Sequence, residues 1–323
     1  MKHILFGGDG FVGRHTAEIL LDAGEEVLIC DIAKSDLPIY QRARHTYCDI
    51  TRPEQIEQVD IEPDDIVYNL AATMLHPIVK RAQRHDYFFS VDYHGAVHVI
   101  ERMEKVGCKQ LIQFSTDMVY GYAQRPRPLE NDHPRVPIGE YSDSKRALED
   151  YCMARRESGL RVSIFRPRII VGPGRVGILG SLFKLIRWSL PVPMIGNGRN
   201  RYQMISVFDC ASAAVASARK GVVNGEFNLG SDNPPTVRAL LGAIIRSAGS
   251  RSILIPTPAG LLKLLLRFLD RINLPLLVPE QFEIADADYV ISTRVTRELL
   301  DWKPAHTDEA MMLEAYRRWR QNS

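Results

Sequence analysis

The stretch that decides the fold is His3-Ile4-Leu5-Phe6 followed by Gly7-Gly8-Asp9-Gly10-Phe11-Val12-Gly13. A short apolar run passes directly into glycines at G-x-x-G-x-x-G spacing, and an amphipathic segment follows. Glycines at such a turn permit a tight bend and a close approach of the backbone to a pyrophosphate, which the N-terminal amides of the next helix face. A glycine-rich turn alone also fits an ordinary loop. The strand–turn–helix context favours a dinucleotide-binding βαβ unit.

The alternation of short apolar runs with helix-length segments extends this unit through the first half of the chain. Runs rich in β-branched residues predict strands at 4–6, 27–30, 66–70, 110–114 and 162–165. Amphipathic segments between them predict helices at 13–23, 93–106 and 144–156. Strands that alternate with helices pair in parallel, with helices covering both faces of the sheet. We therefore predict an α/β fold with a doubly wound parallel sheet, the Rossmann arrangement.

The second half of the chain has a different composition. After Arg166 the alternation weakens, and prolines and glycines punctuate the sequence. We predict that residues 1–166 form the dinucleotide-binding domain and that segments near 203–230 and 285–300 return to it. Residues 167–202 and 231–284 are expected to form a smaller α/β substrate-binding region. Residues 301–323 are expected to form a C-terminal helix.

Bulk composition bounds the class of protein. The 323 residues are 45% hydrophobic and 25% charged, as in ordinary globular proteins. A net charge of +2 gives no electrostatic footprint for a polyanion, which argues against nucleic acid as a partner. The first strand begins at His3 and leaves no room for a signal peptide, so a cytoplasmic location is expected. The five scattered cysteines contain no CxxC pair and predict buried, reduced thiols and no metal site.

The longest apolar stretch, residues 261–277, is interrupted by charged residues and is not expected to span a bilayer. Its leucines and Phe268 fit a helix with a wide apolar face and basic residues opposite. Such a helix suits peripheral contact with a membrane surface. Packing over a substrate pocket or at a dimer interface is the favoured alternative for this helix.

Asp31 ends the second predicted strand, 18 residues beyond Gly13. A carboxylate at this place can accept hydrogen bonds from ribose hydroxyls and repels a 2′-phosphate, which favours NAD over NADP. Asp31 also fits a plain turn residue. Lys34 lies close by, and a basic side chain there can tolerate the phosphate of NADP.

A candidate catalytic group lies further along the chain. Tyr141 and Lys145 are one helical turn apart, so both side chains lie on one face if the segment is helical. A lysine ammonium beside a phenol stabilises the phenolate and so suits general acid–base catalysis. Thr116 follows a predicted strand, at the carboxyl edge where ligands bind, and its hydroxyl can hold the substrate oxygen. Thr116 and Ser115 also fit a turn capped by hydroxyls.

The order of these motifs resembles the extended short-chain dehydrogenases/reductases, and specifically the NAD-dependent epimerase/dehydratase family. Besides the glycine turn, Asp31 and the Tyr141/Lys145 pair, the matching segments are Cys48-Asp49-Ile50, Asn69-Leu70-Ala71-Ala72, Ser115-Thr116-Asp117-Met118-Val119-Tyr120-Gly121, Phe227-Asn228-Leu229-Gly230 and Leu299-Leu300-Asp301-Trp302-Lys303-Pro304. The resemblance therefore covers nearly the whole chain.

The resemblance implies an NAD site in which Asp49 and Ile50 meet the adenine and Lys145 also holds the nicotinamide ribose. It implies that hydride passes between a substrate carbon and the nicotinamide while Tyr141 exchanges a proton with the substrate oxygen. Many members act on nucleotide-linked sugars and oxidise C4 transiently. The residues expected around NAD are Gly7, Gly10, Phe11, Val12, Gly13, Asp31, Asp49, Ile50, Leu70, Ala71, Ala72, Ser115, Tyr141, Lys145 and Pro167.

Several departures from the family pattern bear on the substrate. Met118 stands where 4,6-dehydratases have a glutamate, and a methionine cannot move protons, so that activity is disfavoured. Ile169 and Tyr202 stand where epimerases have an asparagine and an arginine that contact a diphosphate. The expected substrate contacts are Thr116, Asp117, Met118, Arg168, Arg199 and Arg201, although each arginine also fits a solvated surface. Asp92 replaces an asparagine at the start of the central helix, a change expected to affect helix packing more than chemistry.

Three classes of function fit these residues. The first is an NAD-dependent sugar-nucleotide epimerase or C4 oxidoreductase, by analogy with the branch of this chain length. The second is an NAD-dependent dehydrogenase or ketoreductase of a hydrophobic alcohol, similar to the 3β-hydroxysteroid dehydrogenases, which Ile169, Tyr202 and the apolar stretch favour. The third is a non-catalytic cofactor sensor, which the presence of Thr116, Tyr141 and Lys145 disfavours. The resemblance further implies a homodimer, through a four-helix interface formed by residues 93–106 and 144–156.

Overall fold

The computed structural model of the chain describes residues 1–73, 75, 79–123, 128–173 and 179–321. In chain order, its strands are β1 (His3–Phe6), β2 (Val27–Asp31), β3 (Arg44–Tyr47), β4 (Ile66–Asn69), β5 (Gln110–Phe114), β6 (Arg161–Pro167), β7 (Ile169–Val171), β8 (Val192–Ile195), β9 (Met204–Ser206), β10 (Gly225–Leu229) and β11 (Leu254–Thr257).

Helices connect most of these strands. They are α1 (Phe11–Asp22), α2 (Pro53–Ile56), α3 (Arg84–Phe89), α4 (Ala96–Val106), α5 (Glu140–Arg155), α6 (Leu179–Arg187), α7 (Val207–Arg219), α8 (Val237–Ser247), α9 (Ala259–Arg271), α10 (Pro279–Phe282), α11 (Arg294–Leu300) and α12 (Asp308–Gln321). A π-helical segment, Ser90–Gly95, leads into α4, and a 3₁₀ turn, Asp117–Tyr120, follows β5.

Seven strands form one sheet in the order β10-β6-β5-β4-β1-β2-β3, and every neighbouring pair is parallel. This is the doubly wound Rossmann sheet, and the predicted fold class is confirmed. The strand order reverses between β1 and β4, so a crevice opens beyond their carboxyl ends, where ligands bind in such sheets. The structure adds the edge strand β3, whose polar sequence Arg44-His45-Thr46-Tyr47 carries no apolar run for prediction.

Side-chain alternation along the strands builds two cores, one on each face of the sheet. Leu5 faces one core, with α1 and α7, whereas Ile4 and Phe6 face the other, with α4 and α5. Because successive side chains in a strand point to opposite faces, a central parallel strand must be apolar at every position. The five cysteines are buried and free, as predicted.

Two helix boundaries differ from the prediction in ways that matter for the site. Residues 93–106 were expected to form one helix, but the structure forms the π-helical segment up to Gly95 and α4 from Ala96. Residues 144–156 were expected as a helix, whereas α5 begins at Glu140. The earlier start places Tyr141 inside the helix, one turn before Lys145.

A smaller α/β region follows the sheet. Two-stranded parallel sheets, β7 with β9 and β8 with β11, pack with α6, α8 and α12 around a third core that contains Phe183 and Tyr316. No helix among the described residues is long and apolar enough to cross a membrane. In the sequence, His76 fits a loop or helix-entry residue better than a substrate contact, and it lies outside the described residues.

Asp308, the first residue of α12, gives this region a pH-dependent element. Its Oδ1 accepts hydrogen bonds from Ser231 Oγ (2.8 Å) and Met204 N (3.1 Å), and its side chain is buried. Burial raises the pKa of the Asp308 carboxyl from 3.8 to about 6. The folded state therefore binds a proton more tightly than the unfolded state, and this group stabilises the fold below about pH 4.

We predict that Asp308→Asn removes a pH-dependent part of the stability. The free energy of unfolding of the wild type, measured relative to that of the variant, should fall by roughly 3 kcal/mol as the pH rises from about 4 to about 7. Urea unfolding at a series of pH values in this range measures the difference. Glu309→Gln, which alters the exposed neighbouring carboxylate, is the control and should track the wild type. Parallel curves for wild type and Asp308→Asn would contradict the prediction.

Candidate functional site

The glycine turn after β1 leaves no room for side chains. Gly7 has a φ of +76°, and a Cβ there would lie 2.4 Å from the backbone nitrogen of Ala71, which follows β4. A Cβ on Gly13 would lie 2.3 Å from the carbonyl oxygen of Gly7. Gly10 is the N-cap of α1, whose first turn carries no acidic side chain. The start of α1 is thus shaped to receive an anionic group at the β1/β4 crevice.

Asp31 is tied to this turn. Its carboxylate accepts hydrogen bonds from the backbone N–H groups of Asp9 (2.9 Å) and Ala33 (3.0 Å). Asp9 in turn accepts hydrogen bonds from the backbone and hydroxyl of Ser35. The negative charge of Asp31 therefore stands at the end of β2 beside the turn. Lys34 lies over the ring of Tyr40, with its Nζ 5.6 Å from the ring centroid.

The other predicted cofactor residues lie along the carboxyl edge of the sheet or next to it. Asp49 Oδ1 accepts hydrogen bonds from the backbone and hydroxyl of Thr51, and Ile50 packs against Gly95. Further residues of the predicted set are Phe11 and Val12 in the first turn of α1, Leu70, Ala71 and Ala72 after β4, Ser115 after β5 and Pro167 at the end of β6.

A buried ion pair holds α5 against the ends of β5 and β6. Glu149, fully buried, accepts hydrogen bonds from Arg166 Nε (2.9 Å) and Nη2 (2.7 Å) and from Ser115 Oγ (2.6 Å). Arg166 also donates to Tyr120 Oη (2.9 Å). Burial raises the pKa of the Tyr120 phenol to about 12, so it stays protonated and donates to Asn228 (2.7 Å). The hydroxyl of Ser115, predicted to contact the cofactor, is used within this network.

The structure brings Tyr141 and Lys145 together on α5. Lys145 Nζ lies 6.0 Å from the centroid of the Tyr141 ring. It forms an ion pair with Asp92 Oδ1 at 2.9 Å, and both charged side chains are buried. Asp92 also accepts hydrogen bonds from the backbone and hydroxyl of Thr73, beside the cofactor crevice. The expectation that Asp92 affects packing more than chemistry misses this direct contact with the candidate catalytic lysine.

Thr116 and Asp117 occupy the turn after β5. Thr116 Oγ1 accepts a hydrogen bond from Met118 N (3.2 Å) and so caps the 3₁₀ turn. Asp117 forms a buried ion pair with Arg168, whose guanidinium also stacks between the rings of Tyr202 and Tyr289. The structure therefore places Asp117 and Arg168, both predicted to contact substrate, in a pair that presents no exposed charge. The two side chains are buried together because an unpaired charge in the protein interior would be strongly destabilising.

The remaining predicted substrate residues lie apart. Arg199 and Arg201 have exposed side chains near the turn after β8. Met118 lines a cleft too narrow to admit a water molecule, together with Gly121, Ile138, Glu280 and Ile284. The side chains on the walls of this cleft are apolar, with Glu280 as the exception.

Glu280, on α10, is a residue that the sequence did not single out. Its buried carboxylate accepts a hydrogen bond from Tyr141 N (3.2 Å) and also hydrogen-bonds the backbone of Ser142. Gly139, the N-cap of α5, makes room for it, because a Cβ there would lie 2.3 Å from Glu280 Oε1. Burial raises the pKa of the Glu280 carboxyl. A side chain from the smaller region thus caps the helix that carries Tyr141, and nothing in the local sequence of either segment indicates this contact.

The crevice fits a dinucleotide. The cradle at Gly7 and Gly13 admits no Cβ, the start of α1 suits a pyrophosphate, and Asp31 suits a ribose diol. The glycine turn, Asp31 and Lys145 would hold NAD, whose nicotinamide supplies the acceptor of a hydride when bound. Among the described residues no cluster of histidine, cysteine or carboxylate side chains is arranged for a metal ion.

The comparison with protein families agrees with this geometry. Residues 4–230 match the model of the NAD dependent epimerase/dehydratase family. An uncharacterised protein of Sinorhizobium fredii is 27% identical over 99% of this chain and 78% of its own length. UDP-glucose 4-epimerase of Lacticaseibacillus casei is 24% identical over 100% of this chain and 97% of its own.

A solved structure shares the fold over the same extent. UDP-glucose 4-epimerase of Thermotoga maritima, solved with UDP-glucose, superposes with a TM-score of 0.77 and 21% identity. The superposition covers 100% of this chain and 99% of that chain. Both the sheet and the smaller region therefore have counterparts in that protein.

We predict that Glu280→Ala loosens the start of α5. Removal of the carboxylate leaves the Tyr141 and Ser142 amides without this acceptor and should cost about 1–2 kcal/mol, as for other lost N-caps. Hydrogen exchange of the peptide covering residues 139–145 should become faster, whereas Glu280→Gln, which keeps an acceptor oxygen, should change it less.

Glu283→Ala provides the matched control for this experiment. Glu283 lies one turn beyond Glu280 and pairs with Arg267 instead of α5. This variant should leave exchange at 139–145 unchanged. Equal exchange in wild type and Glu280→Ala would show that the contact does not hold α5.

Proposed function

The chain belongs to the NAD dependent epimerase/dehydratase family, and we propose that it is a sugar-nucleotide 4-epimerase or C4 oxidoreductase with Tyr141 as its acid–base residue. The observation that carries this proposal is the arrangement on α5, where Tyr141 and Lys145 share one face beside the carboxyl edge of the sheet. The UDP-glucose 4-epimerase of L. casei, aligned over the full length of this chain, supports the substrate class.

The proposed reaction begins with a secondary hydroxyl of the sugar between Tyr141 and Thr116. Tyr141 as phenolate accepts the hydroxyl proton, while Lys145 stabilises the negative charge of the phenolate. Thr116, on the turn after β5, orients the substrate oxygen. The hydride from the same carbon would pass to bound NAD, and when it returns to the carbon Tyr141 gives its proton back. An epimerase would complete both halves without net change of the cofactor.

We propose NAD in preference to NADP. The carboxylate of Asp31 accepts backbone hydrogen bonds at the turn, so its charge stays fixed where a 2′-phosphate would stand. Lys34 is directed to the ring of Tyr40.

A second candidate is a dehydrogenase or ketoreductase of a hydrophobic alcohol. The observation that favours it is the buried ion pair of Arg168 with Asp117. An arginine neutralised in this way supplies no net charge to a diphosphate. Such an enzyme would release NADH in proportion to product.

We further propose that two chains associate through α4 and α5, as the family resemblance implies. Tyr93 and Tyr151, from the segments around these helices, contact each other edge to face, with ring centroids 6.4 Å apart.

Thermal unfolding with ligands tests the proposal. NAD should raise the midpoint more than NADP, because a ligand that binds only the folded state stabilises it. One member of a panel of UDP-, GDP-, CDP- and dTDP-sugars should raise it further and should be turned over without accumulation of NADH. Tyr141→Phe should bind both ligands and lose about 10²–10⁴-fold in turnover.

The outcomes separate the candidates. A response to NAD without a response to any nucleotide sugar, together with NADH release from a hydrophobic alcohol, would replace the first candidate by the second. Full turnover by Tyr141→Phe would remove Tyr141 from the mechanism.

The ion pair between Asp92 and Lys145 leads to a further prediction. The negative charge of Asp92 opposes the stabilisation that Lys145 gives to the Tyr141 phenolate, so Asp92→Asn should favour the phenolate form of Tyr141. In the oxidation direction the acidic limb of the rate–pH profile should move to lower pH by about one unit. The pKa of the Tyr87 phenol is raised, first by burial and second by the negative charge of Asp92.

The control for Asp92→Asn is Asp65→Asn. Asp65 is also buried and pairs with Lys2, but at the amino-terminal edge of the sheet. This variant should leave the acidic limb in place. A uniform loss of rate at all pH values in Asp92→Asn, with no displaced limb, would assign Asp92 a structural role only.

A further inference from the structure

The outer face of α9 is a continuous ridge of exposed apolar side chains. Leu261, Leu264, Leu265 and Phe268 are between 51% and 68% exposed, at spacings of three and four residues that place them on one face of the helix. Beyond the end of the helix, the ridge continues with Ile272, Leu274 and Leu276, which are 46–64% exposed. We call these seven residues the α9 ridge.

The opposite face of α9 is fixed to the protein, so the ridge cannot turn inward. Leu266 and Asp270 are buried, and Asp270 forms an ion pair with the buried Arg84 on α3. Lys263 binds the carbonyl of Glu283, and Arg267 pairs with its carboxylate. Apolar residues that the fold holds outward in a contiguous set mark a binding surface.

The exposed charges at the end of the ridge are positive on balance. On α9, Asp270 pairs with Arg84, Lys263 with Asp286 and Arg267 with Glu283. Arg271 is exposed at the end of α9, and Lys80 and Arg81 are exposed near the same end, where Arg84 links the backbone of Val79 to Asp270. The one acidic residue between 79 and 89 is the exposed Asp86, so this end carries three exposed positive charges and one negative charge.

We propose that the α9 ridge docks on an anionic phospholipid surface. Leucine and phenylalanine side chains would enter the boundary of the acyl chains, while Arg271, Lys80 and Arg81 would meet the phosphate groups. A second copy of the chain is a poorer occupant, because a two-fold contact would bring these basic residues against themselves. This inference goes beyond the proposed reaction and does not depend on it.

The α9 ridge lies close in the chain to a residue that contacts the candidate active site. Its last residues lead into α10, where Glu280 contacts the backbone of Tyr141. The lipid surface would therefore lie beside the smaller region, on the side of the cleft lined by Glu280 and Ile284.

Sedimentation with vesicles tests this proposal on the full chain saturated with NAD. Wild type should sediment with vesicles of three parts phosphatidylcholine to one part phosphatidylglycerol, and much less with phosphatidylcholine alone. The double variant Leu264→Glu/Phe268→Glu should lower the partition coefficient at least about tenfold, because it removes apolar area and adds charges that the lipid repels. Arg271→Glu should lower it severalfold at low salt and less at high salt.

Leu299→Glu is the matched control. Leu299 is 45% exposed on α11, a different surface, and its substitution should leave sedimentation unchanged. Unaltered NAD binding and thermal midpoint in each variant show that the fold is retained. Wild type that stays in the supernatant, or a double variant that still sediments, overturns the proposal. Loss of a dimer in the double variant, without vesicle binding by wild type, would also overturn it and assign the ridge to a second copy.

Discussion

The buried ion pair between Glu149 and Arg166 is the contact on which the geometry of the site depends. Tyr141, Lys145 and Glu149 follow one another at intervals of four residues on α5, so fixing Glu149 fixes the face that carries the other two. Arg166 is part of β6, and Ser115, which donates to the same carboxylate, follows β5. Removal of Glu149 would leave the buried guanidinium of Arg166 uncompensated, which is strongly destabilising, whereas removal of Arg166 would leave Glu149 paired with Arg135. The ion pair thus fixes the position and rotation of α5 relative to the sheet.

The other charges near the site are matched within the protein as well. Lys145 pairs with Asp92, and Arg168 pairs with Asp117. These pairs have different consequences. The first places a carboxylate next to the lysine that supports Tyr141, and so moderates its electrostatic effect. The second neutralises Arg168 inside the protein, so a substrate with a diphosphate would draw its charge partners from exposed residues such as Arg199 and Arg201.

The sequence predicted the features that depend on local patterns. The parallel sheet follows from apolar runs, the crevice from the glycine turn, and the Tyr141/Lys145 pair from a four-residue spacing. It did not predict β3, because a polar edge strand has no apolar signature, nor the cap that Glu280 provides for α5, because 139 residues separate Glu280 from Tyr141. Arg168 was expected to contact substrate, since sequence cannot show that Asp117, 51 residues away, already neutralises it. Local patterns therefore predict the scaffold and propose candidate reacting groups, whereas long-range pairing determines the electrostatics around them.

Polar contacts link the smaller region to α5, the helix that carries Tyr141. Glu280 caps α5 directly, and Asp270 on α9 holds Arg84 on α3, which packs against α5. Any ligand or surface that shifts α9 and α10 must therefore act on the first turn of α5, where Tyr141 lies. Because a helix terminus gains stability from a carboxylate only at close range, a small displacement of Glu280 suffices to weaken its hold on that turn. The smaller region and the turn that carries Tyr141 are thereby linked by Glu280 and by the Asp270–Arg84 pair.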